Sequence, residues 1–155
     1  MKLRPTRIED LDFVYALEHD EANARFITPW ERDQHERLLG NDDTFHAILL
    51  DGEDRPLGFL FVNGLRRGDR VLELKRLVVA EKGQGVGRLA VQQVKDLAFN
   101  EWKARRLWLD VKDFNERARR LYESEGFRLD GPGEDNVLVY SISALTDADQ
   151  RRLGR

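Results

Sequence analysis

With 155 residues, a net charge of −3 and no cysteine, the chain can bury a core but has no means for disulfides, thiolate catalysis or cysteine-held metal. Its 26 basic and 29 acidic residues are nearly balanced, so bulk electrostatics give no reason to bind nucleic acid. Met1-Lys2-Leu3-Arg4-Pro5 is no signal region and no apolar run approaches membrane-spanning length; one soluble, cytoplasmic domain over residues 1–155 is expected, without metal, membrane or nucleic-acid partners.

Leu3-Arg4-Pro5 is a short strand candidate, and Thr6-Arg7-Ile8-Glu9 has the form of a capping box opening a helix. In that helix Ile8, Leu11, Val14, Tyr15 and Leu17 share a face. The acidic stretch His19–Ala24 is followed by Phe26-Ile27-Thr28-Pro29-Trp30, and a second helix starting at Pro29 is expected to reach about Leu39. Phe45–Leu50, Pro56–Val62 and Val71–Val79 are apolar strands joined by Gly- and Asp-rich turns, which predicts an antiparallel meander. Ala80-Glu81-Lys82-Gly83-Gln84-Gly85-Val86-Gly87 then turns into a long helix predicted from Arg88 to about Trp102. Arg106–Val111 is the next strand, parallel to Val71–Val79 because a helical crossover joins them. A helix over Asn115–Glu125 stops at Gly126, a strand starts at Phe127-Arg128-Leu129, Asp130–Asp135 is a loop, and Val137–Ile142 closes the sheet. The charged tail from Ala144 suggests a short helix capped by Thr146.

The glycine turn is the first chemical signal. Gly83, Gly85 and Gly87 occupy alternate positions, where glycine allows positive φ and close backbone approach to a ligand. The helix behind them offers unpaired N–H groups and the positive end of its dipole, which together make a phosphate cradle. A nucleotide P-loop would need a Lys-Ser or Lys-Thr pair after its last glycine, and none follows. A dinucleotide fingerprint requires G-x-G-x-x-G, whereas this stretch reads G-x-G-x-G. It resembles the acetyl-CoA loop of the GNAT N-acetyltransferases, Gln/Arg-x-x-Gly-x-Gly/Ala, with Lys82 in the first position and Gly85 and Gly87 in the last two.

A second resemblance lies downstream. After the strand ending in Trp108-Leu109-Asp110-Val111, the chain carries Asn115, Ala118, Leu121, Tyr122, Gly126 and Phe127 in the register of the same family's Asn-x-x-Ala-x-x-Leu-Tyr-x-x-x-Gly-Phe motif. With the meander ahead of both motifs, the resemblance covers essentially the whole chain. It implies a mixed α/β fold: a mostly antiparallel central sheet with a splayed parallel strand pair and helices on both faces.

The resemblance further implies acetyl-CoA as co-substrate, lying in the splay. Backbone groups of Leu77, Val78 and Val79 would pair with pantetheine, while Lys82, Gly83, Gln84, Gly85, Val86, Gly87 and Arg88 would hold the pyrophosphate. Asn115 would contact the cofactor, although Asn is also a preferred helix cap. Tyr122 would line the cofactor site as general acid for the departing thiolate; a core aromatic on an amphipathic helix is the plainer reading. Glu73 is the candidate base for the amine. Strand alternation puts it on the face of Lys75, opposite Leu72, Leu74 and Val78; a solvent-facing carboxylate paired with Lys75 or Arg66 is the alternative. His35 and His46 read first as structural residues.

The resemblance implies acceptor walls at roughly His19–Trp30 and Asp130–Asn136. Their acidic residues Asp20, Glu21, Asp130, Glu134 and Asp135 would favour a cationic amine; plainly solvated acidic loops are the alternative. The sequence reading is therefore an N-acetyltransferase acting on a primary amine, such as a protein N-terminus or a polyamine, by direct transfer in a ternary complex. A non-catalytic acyl-CoA sensor of the same fold and a nucleotide-binding module are the alternatives. The resemblance also admits a homodimer, for which the sequence shows no diagnostic interface.

Overall fold

The computed structural model describes residues 1–145 and Arg152; the helix expected at Thr146 lies outside the described residues. β1 (Lys2–Pro5), β2 (Thr44–Leu50), β3 (Pro56–Asn63) and β4 (Val71–Val79) form the amino-terminal arm of a sheet. β5 (Arg106–Lys112), β6 (Arg128–Pro132) and β7 (Val137–Ser143) form the carboxy-terminal arm. The order across the sheet is β1-β2-β3-β4-β5-β7-β6. β4 and β5 run parallel, as the crossover requires, and the other neighbours are antiparallel.

The parallel pairing is short. It joins Val71, Leu72 and Glu73 to Arg106, Leu107 and Trp108 and then stops, so the ends of β4 and β5 diverge. The expected splay is thereby present. Helices α1 (Leu11–His19), α2 (Glu21–Ala24) and α3 (Arg32–Leu38) lie over one face of the amino-terminal arm. α4 (Val86–Asp96) and α5 (Glu116–Ser124) lie on the other face, against Leu72, Leu74, Leu107, Leu109 and Tyr140.

A bulge in β4 decides which face each side chain takes. Phe61 pairs with Arg76 and Val62 with Leu74, leaving Lys75 as the extra residue. Leu72 and Leu74 enter the α4–α5 core, but Val78 packs on the α1–α3 side with Val14, Phe59 and Phe61. The expectation that Val78 shares a face with Leu72 and Leu74 is thus corrected, because one inserted residue inverts everything beyond it.

Other departures are local. Thr6 does not cap a helix: its hydroxyl meets His46 Nδ1 at 2.7 Å, and Arg7 N–H donates to Asp10 at 2.7 Å instead. A 3-10 turn (Ile8–Asp10) precedes α1 and breaks the expected period, so Ile8 and Tyr15 are exposed while Leu11, Val14 and Leu17 are buried. The helix expected from Pro29 begins only at Arg32, where Gln34 accepts from Glu31 N–H at 2.8 Å. α2 is a single turn inside the acidic stretch. The helix expected to run to Trp102 ends as α-helix at Asp96 and continues as a π-turn (Leu97–Glu101), closed by Trp102 N–H to Leu97 O at 2.8 Å. Asp130 lies in β6 rather than a loop and pairs with Arg106 at 2.8 Å.

Candidate active site

The open edge of β4 forms one side of the site. Ala80 N–H donates to Leu57 O at 2.9 Å, so antiparallel alternation also turns Val78 and Arg76 toward β3. Leu77 and Val79 consequently direct their N–H and C=O groups into the splay. Beyond this edge the chain turns at Gly83 (φ 80°) and Gly85 (φ 77°), left-handed conformations that glycine adopts without steric cost. Gly87 differs from expectation: it is already helical, and a Cβ there would lie 3.4 Å from Leu121 Cδ2. Gly85 caps α4, and the first intrahelical bond is Leu89 N–H to Gly85 O at 3.2 Å. The amides of Val86, Gly87 and Arg88 have no helical acceptor and are available to an anion.

α5 forms the opposite wall. Asn115 caps it, accepting from Ala118 N–H at 3.3 Å, and Gly126 (φ 94°) ends it. Tyr122 is buried against Phe127, with ring centroids 5.7 Å apart, yet it also lines the cavity. Burial, with Asp110 adding to it, pushes its hydroxyl pKa up to about 12. At neutral pH Tyr122 is therefore a phenol with a proton to give.

These walls enclose a cavity of about 1010 Å³. Of the residues expected to bind cofactor, Leu77, Val78, Val79, Lys82, Gly83, Gly85, Val86, Gly87, Arg88, Asn115 and Tyr122 line it, whereas exposed Gln84 does not. Lys82 bonds Asn23 of α2 and, at 2.7 Å, the Val79 carbonyl. Its pKa is lowered by burial and by Arg117, with Asp20 opposing. The Arg88 guanidinium is held by Glu125 at 2.6 Å, which leaves its backbone amide as the group open to the cavity. Sequence reasoning missed Arg117 and Arg120, which also line the cavity, while Asn23, Phe26 and Ile27 line it from within the expected acceptor wall His19–Trp30. The two arginines occupy variable positions of the Asn-to-Tyr motif, and their charge was the signal available. Two open strand amides, three helix N-terminal amides and several cations fit a long ligand with a polar chain and phosphates.

Glu73 is separate from this cavity. It is half-buried at the root of the splay, opposite Asn63 on β3 and Trp108 on β5, with Lys75 Nζ 4.0 Å from its carboxylate. Burial raises its pKa and Asp110 raises it further, against the lowering effects of Lys75 and the Asn63 hydrogen bond. Asp110 thus acts electrostatically on both Glu73 and Tyr122.

A family model described as the acetyltransferase (GNAT) family matches residues 11–127, the span that holds every wall of this cavity. The chain belongs to the GNAT acetyltransferase family. Its members use acetyl-CoA as co-substrate, in keeping with the cavity's shape and polarity. An uncharacterised N-acetyltransferase of Mycobacterium tuberculosis is 36% identical over 91 residues, so the match spans 57% of this chain and 57% of that relative. The spermidine N(1)-acetyltransferase of Escherichia coli K12 is 25% identical over 141 residues, covering 84% of this chain and 74% of the relative. Among solved structures, the spermidine N-acetyltransferase of Vibrio cholerae in complex with CoA and spermine superposes with a TM-score of 0.82. It is 21% identical, over 92% of this chain and 94% of that one, and so speaks to the GNAT fold alone. Among the described residues no helix is long and apolar enough to cross a membrane, and no group of His, Asp or Glu is arranged to hold a metal.

Proposed function

We propose that this GNAT protein transfers the acetyl group of acetyl-CoA directly to a primary amine within a ternary complex. The observation that carries the reading is one cavity combining the open Leu77–Val79 edge, the unpaired amides of Val86–Arg88 and a protonated Tyr122. The strand edge pairs with the pantetheine amides, and the helix N-terminus receives the pyrophosphate, with Lys82 and Arg117 adding positive charge. The Leu77 or Val79 N–H stabilises negative charge developing on the thioester oxygen. As the amine nitrogen bonds to the acetyl carbon and the carbon–sulfur bond breaks, Glu73, which stands outside the cavity, takes the amine proton through an intervening water, and Tyr122 protonates the departing thiolate. The raised Glu73 pKa brings this carboxylate closer to neutrality, as a base requires.

For the acceptor we propose a cationic amine of the polyamine class. The names of the Escherichia coli and Vibrio cholerae proteins support it, as do the Glu73 and Asp110 carboxylates beside the splay. Thiol release from acetyl-CoA, measured with polyamines, other small amines and amino-terminal peptides, tests the reading alongside CoA calorimetry. Turnover with polyamines is expected; turnover confined to peptides would move the acceptor to a protein N-terminus. Binding of CoA without turnover on any amine would leave a sensor, and absence of CoA binding would overturn the reading.

A further inference from the structure

The amino-terminal arm buries a chain of polar side chains that the proposed chemistry does not use. Glu18 of α1, His35 of α3, His46 of β2 and Arg76 of β4 are all under 8% exposed, at 0%, 1%, 6% and 7%. Arg76 pairs with Glu18, and its guanidinium lies 5.1 Å from the Trp30 ring centroid. Glu18 also receives Trp30 N–H at 3.2 Å and His35 Nε2 at 2.7 Å. His35 Nδ1 and His46 Nε2 share a bond of 3.1 Å, and His46 Nδ1 meets the Thr6 hydroxyl at 2.7 Å. The chain ties α1, α3, β2 and the segment before α3 to one residue of β4.

That residue stands between the bulge and the cofactor-facing edge. Removing the bulge would move Arg76 from opposite Phe61 to opposite Leu60, in the apolar α4–α5 core. The same slip would turn the Leu77 and Val79 amides from the cleft toward β3. Arg76 opposes it twice, through attraction to Glu18 and through the cost of placing a guanidinium in an apolar core.

We propose that Arg76, held by Glu18 and Trp30, is a positioning residue that pins the register of β4 and thereby aims the Leu77 and Val79 amides at acetyl-CoA. It acts through the strand and touches no reacting atom. The inference rests on the acetyl-CoA reading of the cleft, but the register itself is observable without ligand.

The experiment is amide-resolved hydrogen exchange with CoA calorimetry on the full chain and on a Glu18→Met, Arg76→Met double variant. Replacing both charges with apolar groups of similar volume preserves stability far better than removing one. In the wild type, Arg76, Val78 and Ala80 amides are expected to be protected and those of Leu77 and Val79 to exchange quickly until CoA is added. The double variant should lose or invert that alternation and bind CoA roughly tenfold or more weakly. An unchanged alternation with wild-type CoA affinity would overturn the proposal. Should the double variant not fold, Arg76→Lys and Arg76→Gln make the comparison. Lysine keeps a cation for Glu18 and should retain the alternation, glutamine should weaken it, and identical patterns would overturn the pin. Failure of the wild type to bind CoA would strike the functional reading instead, since the ligand-free exchange pattern still reports the register.

Discussion

The two arms of the sheet solve the same packing problem with different chemistry. The amino-terminal arm and its helices bury Glu18, Asn23, His35, His46 and Arg76, whereas Ser141 is the buried polar residue of the carboxy-terminal arm among the described residues. The carboxy-terminal arm is organised by apolar burial and by short-range caps. α5 is fixed there by Asn115 at one end and along its length by Tyr140, whose hydroxyl donates to Glu123 at 2.6 Å and accepts from Arg119 at 3.1 Å. It therefore presents Tyr122 from a rigid wall. The amino-terminal arm presents backbone, and backbone direction depends on register, so ionic contacts between distant residues matter there. Side-chain chemistry can be specified locally, while an aimed strand edge needs a long-range device.

The sharpest way to break the carboxy-terminal wall is Tyr122→Phe. It should lower kcat by about 100-fold while leaving acetyl-CoA affinity near wild type, as measured by thiol release and calorimetry. Unchanged turnover would remove its role as acid. On the opposite side of the cleft, Gly85→Val forces a β-branched residue to φ 77° at the cap of α4, although the space around its Cβ is open. CoA affinity should fall by at least about 30-fold through backbone displacement, and wild-type affinity would mean that the cradle lies elsewhere.

Glu73→Gln probes the root where the arms meet. It should lower kcat/KM about tenfold near neutrality and remove an acid limb lying above the ordinary carboxylate range, because burial raises the Glu73 pKa. Tyr122, with a pKa of about 12, should add no alkaline limb at lower pH. A pH–rate profile with the same acid limb in wild type and variant would assign proton acceptance to another group.

The smallest expected effect concerns the buried histidine chain. Burial, with a contribution from His35, lowers the His46 pKa from 6.5 to about 3. The unfolded chain binds that proton first, so this contribution to stability is present above pH 6.5 and is lost as pH falls toward 3. The slope attributable to His46 is at most ~1.4 kcal/mol per pH unit. Glu73 has the opposite sign, since its raised pKa makes the native state bind protons first. The difference between wild-type and His46→Gln urea melts across this range therefore carries the test, and parallel pH slopes would contradict it.

Legibility in the sequence follows the same division. The glycine turn, the Asn115-to-Phe127 motif and most strand boundaries are local, and local pattern was enough to place eleven expected cofactor residues around one cavity. Glu73 lies apart from that cavity, and Gln84 faces out, because the turn presents its glycines and amides inward. The strict alternation assumed for β4 failed at Lys75, since a bulge arises from pairing with β3 and leaves no mark in the strand's own residues. Thr6 had the form of a helix cap, but His46 offered its hydroxyl a partner from another strand.

The order of apolar strands and helices by itself determined the mixed sheet with its parallel crossover, and the resemblance of the glycine turn and the Asn115-to-Phe127 run to GNAT motifs pointed to the family and to Tyr122, because each of these is written within a few turns of chain. Tertiary structure alone decided which amides of β4 reach the cleft and how Thr6, Glu18, His35, His46 and Arg76 meet. Those outcomes depend on contacts between residues far apart in sequence, where desolvation leaves each polar group with a cost that only its partners can offset.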